Sequence, residues 1–104
     1  MNTVLFIDTS SSKRIHVGIE KDGKEIKKAI PKQTQAQMVL PMVEELLKNQ
    51  KLKLSDITEI KVHTGPGSYT GLRVGIAIAN MLGFLLDVPI NGLPVGRQAF
   101  PVYE

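Results

Sequence analysis

Asp8-Thr9-Ser10-Ser11-Ser12 sets one carboxylate and four hydroxyls directly after the apolar run Val4-Leu5-Phe6-Ile7. Hydroxyls and backbone N–H groups gathered in a turn of that kind can hold a phosphate. The same residues equally form an ordinary turn in which Asp and Ser side chains bond their own backbone. A second stretch, Thr64-Gly65-Pro66-Gly67-Ser68-Tyr69-Thr70-Gly71, opens a long apolar segment, so Ser68 or Thr70 is its natural N-cap. Helix N-termini attract anions, yet no Lys-Ser or Lys-Thr follows these glycines, which excludes a P-loop. Arg73 lies in the first helical turn, where a cation opposes the helix dipole unless it is paired. Its expected partner is an acidic or backbone-carbonyl group near Asp8.

Other chemistries fail on residue inventory. A two-metal nuclease needs several converging carboxylates; Asp8 with Glu44 or Glu45 begins such a set, but Lys61-Val62-His63-Thr64 supplies no acid beside it. His16 and His63 have no second histidine at ligand spacing and read as surface or packed side chains. No Ser, His and Asp spacing marks a nucleophile set. No complete metal cluster and no nucleophile set is present, and an ATPase or phosphotransferase half-domain using Asp8 to Ser12 for phosphate stays open as the alternative.

The elements that position these residues follow from periodicity. Val4 to Asp8 reads as a strand buried on both faces, since its apolar run is continuous. Arg14 to Glu20 alternates Ile15, Val17, Ile19 against His16, Gly18, Glu20, the period of a half-buried strand. Lys21-Asp22-Gly23-Lys24 is a hairpin turn, and a third strand runs through Ile26 and Ile30 to Pro31. From Gln35 to Asn49 the period becomes helical, with rows Met38, Met42, Leu46 and Val39, Val43, Leu47. Pro41 requires that helix to start just before it or to bend there. Glu59 to Thr64 is a fourth strand, Thr70 to Leu86 a second helix, and Val88 to Leu93 a last short strand. The order strand-strand-strand-helix-strand-helix-strand predicts an α/β fold with one mixed sheet, an actin-like or ribonuclease-H-like half-domain with strands one, four and five parallel and adjacent. Residues 1–93 form the unit and 94–104 a tail.

At 104 residues, 42% of them hydrophobic, the chain has the size and composition of one small globular domain with a thin core. No cysteine is present, which removes disulfide, thiolate-metal and thiol-nucleophile chemistry and fits a reducing, cytoplasmic location. The N-terminus has no basic flank before its apolar run, so no signal peptide is expected. Net charge is +3, with 11 basic and 8 acidic residues through Lys61 and two of each beyond it. Five aromatics offer no stacking platform for nucleic acid, so the lysines read as a solvated hairpin that discourages edge pairing.

The second helix is apolar nearly all round, with a single charge, Arg73, between Leu72 and Leu86. It is too short for the about 20 apolar residues of a membrane span, so no membrane is involved. A helix without a polar face must be covered on two sides. Gly71, Gly75, Ala79 and Gly83 recur every four residues, a groove that admits a close backbone. Two interior glycines cost roughly 0.8 to 1 kcal/mol each relative to alanine, so they need a packing reason. That reason is either the chain's own sheet or first helix, or a partner helix seated in the groove or on the opposite Ile76, Asn80, Phe84 side.

Thr64-Gly-Pro-Gly-Ser-Tyr-Thr-Gly-Leu-Arg-Val-Gly75, together with Leu5-Phe-Ile-Asp-Thr-Ser10 and Val39-Leu-Pro-Met-Val43, resembles the TsaB (YeaZ) family of bacterial tRNA-modification proteins. The resemblance runs in register over residues 1–93. It implies an actin-like fold and a part in making threonylcarbamoyladenosine next to the anticodon. It further implies a non-catalytic scaffold, since the transfer from an adenylate to tRNA belongs to a metal-holding paralogue, TsaD, with which TsaB-like proteins form a heterodimer. A TsaE-type ATPase joins the larger complex, and tRNA is met only indirectly. Carried over by position, the interface lies on Gln35 to Asn49 and Thr70 to Leu86. Its residues are Met38, Val39, Met42 and Leu46 with Gly75, Ile76, Ala79, Asn80 and Gly83, and the same surface would pair two copies of a chain lacking its partner. The signature loops are Asp8, Thr9 and Ser10 with Gly65 to Gly71 and Arg73. Two departures stand out: Gln35 where the family often has histidine, and an end at Glu104 where the family's second actin-like domain would begin. A nucleotide cleft takes its second phosphate loop from that domain, so ATP hydrolysis is not expected of this chain.

Overall fold

The computed structural model describes residues 2–11, 13–31, 38–66 and 69–102. Strand β1 (Thr3–Asp8) is followed by β2 (Arg14–Lys21) and β3 (Lys24–Pro31), then helix α1 (Val39–Asn49), a 3-10 turn at Leu54–Asp56, β4 (Glu59–Val62) and helix α2 (Tyr69–Leu86). The sheet order is β3-β2-β1-β4, with β1–β2 and β2–β3 antiparallel and β1–β4 parallel. This is the mixed α/β sheet that the element order predicts.

Local chemistry accounts for the turns. Asp22 (φ 50°) and Gly23 (φ 87°) close the β2–β3 hairpin with two left-handed residues, the two-residue turn whose twist matches the strands. Asn2 and Asp22 tie the turn to the first strand: Asp22 N–H donates to Asn2 C=O at 3.1 Å and Asn2 N–H to Asp22 Oδ1 at 3.2 Å. Helix α1 starts at Val39, just before Pro41, whose missing N–H falls in the first turn where no intrahelical partner exists. Residues 35–37, expected in that helix, lie outside the described residues.

Leu5 and Ile7 of β1, Ile15, Val17 and Ile19 of β2, and Ile60 and Val62 of β4 pack into one buried cluster with Val39, Met42, Val43, Leu46 and Leu47 of α1 and Leu72, Ile76, Ala79 and Leu82 of α2. Cross-strand pairs Leu5–Ile19 and Ile7–Val17 put these side chains on one face of the sheet, and both helices cover that face. β1 is therefore not buried on both faces. Its other side shows Phe6 and Asp8 half-buried, because period 2 sends them away from the helices.

The expected fifth strand shrinks to a single parallel bridge, Ile60 to Ile90. Asn91 (φ 52°) and Gly92 (φ 75°) turn the backbone away immediately after it. The Asn91 amide then stands in for strand backbone: its Oδ1 accepts from Val62 N–H at 2.8 Å and its Nδ2 donates to Val62 C=O at 2.9 Å. Residues beyond Pro94 pack back on the body, since Ala99 is 4% exposed and Val102 N–H donates to Thr64 C=O at 2.6 Å. Among the described residues no helix is long and apolar enough to cross a membrane.

Candidate functional site

β1 and β4 are parallel neighbours, so the loops after Asp8 and Val62 leave the same end of the sheet, and His63 N–H donates to Ile7 C=O at 2.9 Å. At that end Asp8 Oδ1 accepts from Ser10 N–H at 2.9 Å and from Ser10 Oγ–H at 2.6 Å. Ser11 Oγ accepts from Lys13 N–H and Arg14 N–H at 3.1 and 3.2 Å. These are the bonds of a self-capping turn. Burial pushes the Asp8 carboxyl up, but the Ser10 hydroxyl and amide, followed by the nearby His63 and His16, pull it below its ordinary value. Ser12 lies outside the described residues.

Thr9 has a different task from its neighbours. It is buried, its Oγ1 donates to Gly71 C=O, and the same oxygen accepts from Gly75 N–H at 3.0 Å. A helix normally joins residues 71 and 75 to each other. The Thr9 hydroxyl engages both groups and fastens the first turns of α2 to the end of β1. Gly75 leaves it room: a Cβ there would sit 2.7 Å from Thr9 Oγ1 and 3.2 Å from Ile7 Cγ2.

The second signature stretch is likewise tied to the body. Gly65 has φ 130° and a cis bond to Pro66, and a Cβ on it would lie 2.1 Å from the Val102 carbonyl oxygen. Gly67 and Ser68 lie outside the described residues, so the expected Ser68 cap does too. α2 begins at Tyr69, which puts the backbone of Thr70 inside the helix rather than at its cap. Gly71 is buried, and Arg73 is exposed and holds a partner of its own.

Register brings together one group that spacing in the chain does not reveal. Asp8 pairs with His16 across β1 and β2, and His63 follows β4 on the other side. The three point to the uncovered face of the sheet, above Phe6, Gly18 and Lys61, around a shallow depression of about 530 Å³. Lys61 Nζ stands 5.7 Å from the Phe6 ring centre. His63 Nε2 approaches the Pro66 carbonyl at 3.4 Å. Among the described residues no three acidic, histidine or cysteine side chains are grouped to hold a metal ion.

Of the helical residues expected at an interface, most face this chain's own core. Val39, Met42 and Leu46 are buried under β2, and Gly75, Ile76, Ala79 and Gly83 are buried toward the sheet. A Cβ on Gly83 would meet Ile90 Cδ1 at 2.5 Å. The period-four stripe is thus a groove filled by Thr9, Ile7 and Ile90; its spacing alone says nothing about which backbone fills it. Met38 is 40% exposed at the start of α1. Asn80 is half-buried, its Nδ2 donating to Ala99 C=O at 3.0 Å and its Oδ1 accepting from Ala99 N–H at 2.8 Å. Phe84, read from the sequence as part of the side opposite the glycine groove, is 82% exposed; what spacing passes over is its neighbours, Leu85 at 66% and Met81 at 40%, with Ala77 exposed one turn before Met81. The signal was present in the sequence, since 77, 81, 84 and 85 share one flank.

Comparison with known proteins places this geometry. The family model described as TsaD: tRNA N6-adenosine threonylcarbamoyltransferase matches residues 26–95. A tRNA threonylcarbamoyladenosine biosynthesis protein TsaB from Haemophilus influenzae is 34% identical, over 98% of this chain and 45% of its own length. The Bacillus subtilis protein of the same name is 33% identical over 88% of this chain and 40% of its own. Among solved structures, YeaZ from Pseudomonas aeruginosa superposes with a TM-score of 0.79 at 33% identity, covering 90% of this chain and 44% of that one. A Pseudomonas aeruginosa protein described as uncharacterized, with similarity to peptidase YeaZ, gives 0.81 at 32% over the same shares. The chain spans less than half the length of these relatives. It belongs to the family of the TsaD model and, through its TsaB and YeaZ relatives, to the TsaB/YeaZ group.

Proposed function

We propose that this chain serves tRNA threonylcarbamoyladenosine formation as a non-catalytic partner of a TsaD-type threonylcarbamoyltransferase, docking through the outer flank of α2. The carrying observation is the ridge Met81, Phe84 and Leu85, with Phe84 82% exposed on a regular helix. Water-exposed apolar side chains clustered on one flank mark interaction surfaces, and burying a side chain of phenylalanine's size contributes about 1.5–3 kcal/mol. The names of its relatives supply the process. The docking surface joins Asn80 to the Met81, Phe84 and Leu85 ridge. It would pair two copies of the chain where the partner is lacking. A TsaE-type ATPase and tRNA are met through the partner, in the cytoplasm, and this chain contributes no cofactor or metal.

Asp8 supports the non-catalytic reading. Its Oδ1 accepts from both the Ser10 hydroxyl and the Ser10 amide, so the carboxylate organises its own turn.

Co-purification with a TsaD-type protein tests the proposal. Phe84→Glu should abolish association while far-UV circular dichroism is unchanged, and retained binding would place the interface elsewhere. Met42 and Ala79 are unsuitable probes, because both are buried in the chain's own core. A measurable affinity for ATP, lost in Asp8→Ala, would overturn the scaffold reading.

A further inference from the structure

The segment 94–102 runs back along α2, from the bridge at Ile90 to the loop at Thr64. It is held there by little apolar contact. Ala99 is 4% exposed, whereas Val95, Phe100 and Val102 are 51%, 69% and 59% exposed. Its attachments are polar: the two-point pairing of the Asn80 amide with both backbone groups of Ala99, and the Val102 N–H bond to Thr64 C=O. Few buried apolar contacts and bonds near solvent characterise the segments of a protein that open locally. Between this segment and the exposed ridge lies a groove of about 440 Å³, walled by Ala77, Met81 and Phe84 on α2 and by Gly96, Arg97 and Gln98 on the segment.

We propose that residues 94–102 form a latched strap that shields the Asn80 flank of α2 in the free chain and lifts when a partner docks. The inference rests on the docking role given to α2 above, and supplies its regulation. Closed, the strap satisfies both hydrogen-bonding groups of Asn80 and narrows the docking face to the outer ridge. Lifted, it releases the Asn80 amide to the partner and widens the face by one helical row. A partner that binds only the open form has its affinity reduced by the fraction of chains that are open.

Two variants of the full chain lift the strap without altering α2. Ala99→Pro deletes the N–H given to Asn80, and Ala99→Glu puts a large charged side chain where Ala99 is buried. Trypsin cleavage after Arg97 reports the latch, and the dissociation constant for a TsaD-type protein reports the gate. Faster cleavage at Arg97 is expected in both variants, with association tightened on the order of tenfold, as loss of two hydrogen bonds implies. Unchanged cleavage in both overturns the latch. Faster cleavage with unchanged or weaker association overturns the gate. Phe84→Glu in the same assay separates the premise: association that survives it, or that is absent from the native chain and both variants alike, removes the docking role and the gate with it.

Discussion

Thr9 and Gly75 are a pair whose meaning no linear pattern contains. A hydroxyl in a Ser-rich turn suggests an anion site, yet its oxygen sits between the Gly71 carbonyl and the Gly75 amide, 66 residues away in the chain. Gly75→Ala should therefore destabilise the fold by about 1–3 kcal/mol, because both hydrogen bonds fix the Thr9 rotamer and a new methyl cannot displace it. Gly83→Ala meets Ile90 Cδ1 and Cγ1 rather than a hydrogen-bonded hydroxyl, and the about 1 kcal/mol gained in helix propensity offsets part of that crowding. Urea unfolding of the two variants should separate them clearly. Thr3 makes the opposite case: its Oγ1 is buried with no hydrogen-bond partner among the described residues. Thr3→Val should raise stability by about 1 kcal/mol, since an unsatisfied hydroxyl costs that much or more to bury. At Asp8 the folded pKa lies below the unfolded one. Its contribution is then present above the ordinary carboxylate value and is lost as pH falls through the depressed one. Urea midpoints followed from about pH 5 to pH 2 should fall less steeply in Asp8→Asn than in the native chain.

Elements were legible wherever one period ruled. β2 buries Ile15, Val17 and Ile19 as its alternation requires, and α1 buries Val39, Met42, Val43, Leu46 and Leu47 along a single stripe with Pro41 in the first turn. α2 was the ambiguous element, because a helix apolar on all sides carries no mark of which side faces inward. Packing decided that the small residues face β1 and Ile90, leaving the bulky Met81, Phe84 and Leu85 outside. Phe84→Glu tests this at the level of the helix alone: with 82% of the side chain already exposed, stability should change by less than about 0.5 kcal/mol even if association is abolished. The last strand was overread from Val88 to Leu93. Its apolar residues are present, but Asn91 adopts a left-handed conformation and lends the ladder its side chain in place of its backbone.

Across the whole molecule, a sheet covered on one face leaves Phe6, Asp8, His16, Lys61 and His63 on the other, and the polar pairing of Asn80 with Ala99 holds the segment beyond Pro94. Amide hydrogen exchange should follow this layout, slowest in β1 and β2, each paired on both edges, and fastest in residues 94–102. The sequence by itself determined the element order through α2, the mixed sheet and, through Thr64 to Gly75, the family, since periodicity and local turn chemistry act between near neighbours. Only the tertiary structure decided that the Thr9 hydroxyl staples a helix, that the glycine stripe faces inward, and that Asn80 pairs with Ala99. Each of those outcomes depends on groups far apart in the chain, and which of two apolar surfaces is buried is settled by what else is there to bury it.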